Sequence, residues 1–151
     1  VLCDAWSMPN RNVLVIFENG QAGLFDEEGN LKKDGLLSYN DCPLRGIADD
    51  GDCFWSYCTD QNCVIRYFAE GIKSDIRIGG KDALTFSRPN HISSDDDYVY
   101  VCCEERYVRK IDKKDFTVSD LRHSYGDLKR FYCFGKYAVV CTSTAAFVDK
   151  L

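Results

Sequence analysis

The chain is built from short runs of apolar and aromatic residues that alternate with polar turns. The clearest case spans 88–112, where an extended segment, RPNHIS, leads through an acidic turn to the run YVYVCC and then to a returning run, YVRKID. β-Branched and aromatic residues favour strands, and a run that is apolar on both faces is typical of a strand buried on both sides. The pattern predicts an antiparallel meander of strands joined by tight turns.

The same meander is predicted four times along the chain. The second strand of each unit begins at Val13, Cys53, Tyr98 and Tyr137, at intervals of 40, 45 and 39 residues. A repeat of about 40 residues with about four strands per unit is the sequence mark of propeller blades. We therefore predict an all-β, β-propeller-like domain of about four antiparallel meander blades, with less than about a tenth of its residues in helices. The approximate units are 1–40, 41–87, 88–127 and 128–151.

Three segments of the chain resemble blades of the NHL and YVTN kinds of β-propeller. They are RPNHISSDDDYVYV, RGIADDGDCFWSY and LFDEEG. Blades of these families carry a Pro-x-x-Ile-like inner strand, an aromatic second strand and a hairpin in which Asp follows apolar residues. The fourth unit fits loosely because it lacks the characteristic Pro and Asp, and the Trp-Asp of WD repeats is absent. The resemblance implies a binding scaffold, in families that include both enzymes and pure interaction modules.

The fourth unit has only three predicted strands, which leaves Ala145–Asp149 as an uncovered edge. Such an edge invites pairing with another chain unless the ring closes on itself. Three arrangements stay open: a compact four-bladed ring, a half-ring that pairs with another copy, and a segment of a larger propeller. We favour the last two, and expect either a homo-oligomer or an assembly with the remainder of a larger propeller.

The amino-acid composition excludes some classes of function and favours one cellular compartment. A net charge of −5 argues against a nucleic-acid binder, and no apolar run approaches the roughly 18 residues of a membrane span. The nine cysteines fall mainly within predicted strands and match no zinc pattern. We expect free thiols in a reducing compartment, hence a cytoplasmic protein, in preference to disulfides or a metal site. The acidic runs near Asp49 and Asp95 read as turns rather than calcium ligands, so no metal or cofactor is predicted.

The inner strands carry the candidate binding residues, because these strands line the central channel of a propeller. The predicted ligand- or partner-binding residues are Arg45, Asn90, His91 and Arg130. Such groups suit an anionic or amide-rich ligand, although they could instead pair with nearby carboxylates and hold the blades together. We predict a non-enzymatic scaffold that binds a protein or peptide partner, with no catalytic residues. The alternative is a propeller-based lectin or enzyme that acts on a sugar or other small ligand at the central channel.

Overall fold

The computed structural model describes all 151 residues and contains strands, turns and loops but no helix. This confirms the all-β prediction. It follows that no helix of the chain is long and apolar enough to cross a membrane. Four antiparallel sheets succeed one another around a common axis as the four blades of a β-propeller, and the chain passes through each sheet as a simple meander.

The first two blades are joined by a small hairpin. Blade 1 contains β1 (Leu2–Ser7), β2 (Val13–Phe17), β3 (Gln21–Phe25) and β4 (Leu31–Leu36). The hairpin is formed by β5 (Ser38–Tyr39) and β6 (Cys42–Pro43). Blade 2 contains β7 (Arg45–Asp50), β8 (Cys53–Cys58), β9 (Cys63–Phe68) and β10 (Lys73–Gly79).

The last two blades differ in their number of strands. Blade 3 contains β11 (Pro89–Ser94), β12 (Tyr98–Cys103), β13 (Tyr107–Asp112) and β14 (Val118–Ser124). Blade 4 contains only β15 (Arg130–Phe134), β16 (Tyr137–Cys141) and β17 (Ala146–Lys150). The first strands of consecutive blades, β1, β7, β11 and β15, contact one another from blade to blade, so they are the inner strands.

One strand begins later than the sequence pattern predicts. The sequence of unit three predicts its fourth strand at 116–121, whereas β14 runs from Val118 to Ser124. The reason is the turn before it, in which Phe116 adopts a left-handed φ of 62° and donates its backbone N–H to the Asp112 carbonyl. Its ring packs instead against Trp55 of blade 2, with ring centroids 6.0 Å apart.

Three apolar cores fill the junctions between consecutive blades. The core between blades 1 and 2 includes Leu14, Ile16 and Phe54, and the core between blades 2 and 3 includes the fully buried Trp55. The third core, between blades 3 and 4, is centred on Phe131. Adjacent residues of one strand serve different cores, because side chains alternate across a sheet. Thus Cys103 packs between blades 2 and 3, and Cys102 between blades 3 and 4.

The junction between blade 4 and blade 1 is not packed in this way. No apolar core, aromatic pair, hydrogen bond or ion pair joins the two blades. Each of these blades therefore has one sheet face buried against a neighbour and one face turned toward the unpacked junction. We call these the open faces of blade 1 and blade 4.

Candidate functional site

The starts of the inner strands lie together at one end of the propeller axis. Each blade begins with its inner strand, so all four run in the same direction, and the turns that join second to third strands lie at the same end. Arginines occur at three consecutive starts. We call this end the arginine face and define it by Arg45, Arg88 and Arg130 together with Thr59, Asp60, Asn90, Glu104 and Glu105.

Arg45 and Arg130 are the first residues of β7 and β15. Both are exposed, and neither guanidinium makes an ion pair or hydrogen bond within the chain. By contrast, Arg66 of blade 2 binds Asp75 at 2.6 Å and Asp50 at 3.4 Å. The arginines of the inner-strand starts therefore remain available to a ligand, whereas Arg66 is committed to the scaffold.

Arg88 was missed by the sequence analysis. It immediately precedes Pro89, the first residue of β11, so it occupies in blade 3 nearly the place that Arg45 occupies in blade 2. Its backbone is held by a hydrogen bond from its N–H to Asn62 Oδ1, at 2.9 Å, and by a left-handed φ of 45°. Its side chain is exposed and unpaired. Its position before the inner-strand proline was the signal that could have identified it.

Two shallow cavities lie on the arginine face and share Thr59. One, of about 520 Å³, is lined by Thr59, Arg88, Asn90, Glu104 and Glu105. The other, of about 230 Å³, is lined by Pro43, Arg45, Thr59 and Asp60. Apart from Pro43, every side chain that lines these cavities is polar or charged, so both suit a polar ligand. A cavity of about 490 Å³ also occurs beside the outer strand of blade 3, where Arg109 is already bound to Asp120 and to the Thr85 carbonyl.

Asn90 lines the larger cavity and also ties blade 3 to blade 4. Its side-chain amide donates to the Leu128 carbonyl at 3.0 Å, and its Oδ1 accepts the Glu105 N–H at 3.2 Å. It sits at a bulge between β11 and β12, where the register shifts. The amide is therefore already bonded at both ends, and its contact with a partner stays a prediction.

His91 lies deeper, in the junction between blades 3 and 4. Its Nδ1 accepts the Phe131 N–H at 3.4 Å and lies 4.0 Å from Cys102 Sγ. Its ring meets the Tyr132 ring edge-on, with centroids 5.2 Å apart. Burial, reinforced by the charge of Arg130, lowers the pKa of His91 to about 4. The imidazole is thus neutral near pH 7. By accepting the Phe131 N–H it holds the backbone next to Arg130. A direct contact between His91 and a partner stays a prediction.

Asp4 and Tyr57 place further polar groups near the inner strands of blades 1 and 2. One carboxylate oxygen of Asp4 accepts the Ile47 N–H at 2.9 Å and the other accepts the Ala5 N–H at 2.9 Å. Burial raises the pKa of Asp4, while these two hydrogen bonds and the charge of Arg130 oppose the rise. Burial likewise raises the pKa of Tyr57 to about 12. Asp4 serves mainly to fasten blade 1 to blade 2.

The cysteines and acidic groups do not converge on a metal-binding arrangement. No group of three or more His, Cys, Asp or Glu side chains is placed to hold an ion. All nine cysteines lie in strands as free thiols, and six of them are buried. Asp95, in one of the acidic turns, instead accepts hydrogen bonds from the backbone N–H groups of Asp97 and Tyr98 and from the Tyr100 hydroxyl. Its role is to shape the turn.

The comparison with known proteins identifies the fold of the chain but does not assign the chain to a family. Neither a protein-family model nor a curated protein sequence matches the chain. Among solved structures, the computationally designed Ika4 protein is similar over 100% of this chain and 91% of its own, with a TM-score of 0.74 and 10% identity. Hydrazine synthase from Kuenenia stuttgartiensis is similar over 97% of this chain and 45% of its own, with a TM-score of 0.73 and 13% identity.

A streptogramin B lyase is similar over 99% of this chain and 54% of its own, with a TM-score of 0.66 and 10% identity. The chain therefore spans about half the length of the hydrazine synthase and of the lyase. At identities this low, a shared fold carries no shared activity. The likeness shows that the chain has a β-propeller fold.

Proposed function

We propose that the chain is a non-enzymatic β-propeller interaction module that binds an acidic segment of a protein or peptide partner on its arginine face. The observation that carries the proposal is the row of three exposed, unpaired guanidinium groups at Arg45, Arg88 and Arg130. They stand at the starts of three consecutive inner strands, so the scaffold holds their Cα atoms in a fixed arrangement.

Guanidinium groups favour carboxylate partners because their planar N–H donors match the two oxygens of a carboxylate. The polar cavities between the arginines could receive the backbone of an extended peptide, with Thr59 and Asn90 at their edges. The overall charge of −5 would oppose an acidic partner at long range, but physiological salt screens exposed charges beyond about 8 Å. The arginine face also carries the carboxylates of Asp60, Glu104 and Glu105, of which Glu105 is ion-paired with Lys129 at 2.6 Å. Binding of an acidic segment would therefore require the three guanidinium groups to outweigh these local carboxylates.

We also propose a family and a cellular compartment for the chain. Membership of the NHL and YVTN kinds of propeller is supported by the three sequence segments that resemble their blades, and those segments fall in blades 1, 2 and 3. A reducing, cytoplasmic setting is supported by nine free thiols in strands. The proposed partner is a protein or peptide, rather than a nucleic acid or a membrane.

The test is a binding titration with a defined probe. A fluorescein-labelled decamer of glutamate is titrated with the chain at about 50 mM and 150 mM salt, and fluorescence anisotropy reports binding. Arg45→Ala, Arg88→Ala and Arg130→Ala should each weaken binding about 2- to 5-fold, since an exposed ion pair contributes about 0.2–1 kcal/mol. The triple variant should lose measurable binding, and melting temperatures should stay within a few degrees of the unaltered chain.

Arg122→Ala is the matched control, because Arg122 is also exposed and unpaired but lies on β14, the outer strand of blade 3. It should leave the affinity unchanged. No binding of the decaglutamate, or an equal loss in Arg122→Ala, would overturn the proposal. A decamer of glutamine and a neutral oligosaccharide serve as comparison probes. Binding of the oligosaccharide alone would instead support the lectin or enzyme alternative.

A further inference from the structure

Exposed apolar side chains concentrate in the first and last blades. Of eleven large hydrophobic side chains that are exposed, only Phe68 and Leu84 lie outside blades 1 and 4 and the residue before β1. The other nine are Val1, Leu2, Phe17, Leu31, Leu36, Phe134, Tyr137, Phe147 and Val148. Contiguous exposed apolar patches mark interaction sites in folded proteins. The distribution points to the unpacked junction between these two blades.

Strand register places most of these side chains on the open face of blade 1. Leu14 and Ile16 of β2 are fully buried against blade 2, so the alternate residues Val13, Val15 and Phe17 face the other way. Residues paired across antiparallel strands share a face. Strand pairing adds four residues to the open face, namely Leu2, Phe25, Leu31 and Leu36. Leu2 lies opposite Phe17, and Phe25 lies opposite Val13. Leu31 lies opposite Phe25, and Leu36 lies opposite Gln21.

The open face of blade 1 also has a depression of about 240 Å³. At its floor is Gly23, where an added Cβ would stand 2.9 Å from the Phe25 ring and 3.3 Å from Leu31 Cδ1. The side chains of Phe25 and Leu31 thus lie over a backbone that has no side chain of its own. Leu31 remains 55% exposed. The depression is therefore apolar where Phe25 and Leu31 lie and polar where Gln21 and Asp34 complete its lining.

The open face of blade 4 is identified in the same way. Phe131, Cys133, Ala138 and Val140 pack against blade 3. The alternate positions Phe134, Tyr137, Val139 and Val148, which are paired with one another across the sheet, form the open face. Tyr132 is paired with Val139, but its ring packs against His91 of blade 3. Val148 is 67% exposed and Phe134 is 65% exposed. Phe147 belongs to the other face, since it lies opposite Val140 and near Tyr125 of blade 3.

The two open faces also carry opposite charge at one end. The turns that join inner to second strands, and third to fourth strands, lie at the end of the axis opposite the arginine face. In blade 4 this end carries the exposed Lys136 and Lys150, neither of which is ion-paired. In blade 1 it carries the acidic turn of Asp26, Glu27 and Glu28, of which Glu27 is ion-paired with Arg11 of the neighbouring turn at 3.1 Å and the other two are not ion-paired. Complementary charge at the rim of an apolar contact favours one partner and one orientation.

We propose that two copies of this chain assemble into one ring, with the open face of blade 4 of each copy packed on the open face of blade 1 of the other. The same blade-on-blade packing already buries blades 1 against 2, 2 against 3 and 3 against 4. A head-to-tail contact of this kind forms a closed assembly when the rotation between copies closes. Here it closes after two copies, giving eight blades and a two-fold axis along the channel. This inference does not rest on the proposed function.

The first test is the mass of the 151-residue chain in solution. Sedimentation equilibrium between about 1 and 100 µM should give a particle of about 34 kDa, twice the 17.2 kDa of one chain. Val148→Lys places a charge in the open face of blade 4, and Leu31→Glu does so in the open face of blade 1. Each should raise the dimer dissociation constant at least about 100-fold, as expected for central interface positions. Both chains should remain folded by circular dichroism.

Phe68→Lys is the matched control. Phe68 is 47% exposed, ends β9 of blade 2 and belongs to neither open face. This variant should sediment as a dimer. A monomeric unaltered chain at every concentration, an open series of larger oligomers, or equal dissociation in Phe68→Lys would each overturn the proposal.

A mixing experiment tests ring geometry directly. In a mixture of Val148→Lys and Leu31→Glu chains, a heterodimer has one junction with neither substitution and one junction with both. Each variant alone can form only singly substituted junctions. Mixing two monomeric variants should therefore restore a dimer of one copy of each, detected by native mass spectrometry. If mixing restores none, the two substitutions do not lie on opposite sides of one junction, and the proposed geometry is wrong.

Discussion

Acidification should weaken the junction between blades 3 and 4 through His91. The ring is packed between Cys102 of β12 and Tyr132 of β15, and its Nδ1 accepts the Phe131 N–H. Protonation would place a positive charge in this junction near that of Arg130 and would remove the acceptor. Burial and the charge of Arg130 accordingly hold the pKa of His91 at about 4, against an ordinary value of 6.5.

The sign and size of the effect follow from this difference. The folded chain binds the proton less readily than the unfolded chain, so the free energy of unfolding decreases as the pH falls below about 6.5, and the loss is complete below about 4. Each pKa unit corresponds to about 1.4 kcal/mol. The lowering of the His91 pKa from 6.5 to about 4 therefore predicts that the free energy of unfolding falls by about 3 kcal/mol between pH 7 and pH 4. This is a large fraction of the roughly 5–15 kcal/mol that is typical of folded proteins.

Urea unfolding at pH 7.0, 6.0, 5.0 and 4.0 measures the loss. His91→Asn is the comparison, because asparagine offers an acceptor oxygen near the position of Nδ1 but does not titrate. Carboxylates such as Asp4 and Asp149 titrate in both proteins, so the difference between the two curves isolates His91. The original chain should lose about 3 kcal/mol more than His91→Asn over this range. Parallel curves would refute the reasoning, since they would mean that the His91 pKa is not depressed by folding.

Three further outcomes are expected. Trp55→Ala should cost about 3–5 kcal/mol of unfolding free energy in urea titrations, because Trp55 is fully buried between blades 2 and 3; a loss below about 1 kcal/mol would contradict that packing. Gly79→Ala should lower the melting temperature clearly more than Gly29→Ala, although both glycines have a φ near +85°. The reason is that only at Gly79 would the new Cβ meet a backbone oxygen, that of Asn62, 2.6 Å away. Equal shifts in melting temperature would argue against that close approach. Thiol alkylation followed by mass spectrometry should find most cysteines reduced and the buried cysteines slow to react, and three or four disulfides would overturn the thiol assignment. The buried cysteines are Cys53, Cys58, Cys63, Cys102, Cys103 and Cys133.

Local signals made the blades predictable from sequence. Asn19-Gly20 between two apolar runs predicts a hairpin, and the structure turns there, with Gly20 at a φ of 86°. An added Cβ at Gly20 would stand 2.5 Å from the Leu37 carbonyl oxygen, so the glycine is required by packing as well as by the turn. Because each meander is formed by neighbouring residues, its strands could be placed to within a few residues.

Contacts between blades were not predictable in the same way. Asn90 bonds Leu128, and His91 bonds Phe131, across 38 and 40 residues of sequence. Nothing local to Asn90 or His91 distinguishes a scaffold contact from a ligand contact. Likewise, β2 is apolar on both faces, and only the structure shows that Leu14 is covered while Val15 is partly open.

The most direct test of the account is a map of the site at which an acidic peptide binds. Backbone amide resonances of the isotope-labelled chain are followed by NMR during titration with decaglutamate. The account predicts shifts at the starts of β7, β11 and β15 and in the adjoining turns at 59–60 and 104–105, with no comparable shifts around Arg122. Shifts confined to the opposite end of the axis, or spread evenly over the chain, would contradict the assignment of the arginine face as the binding site.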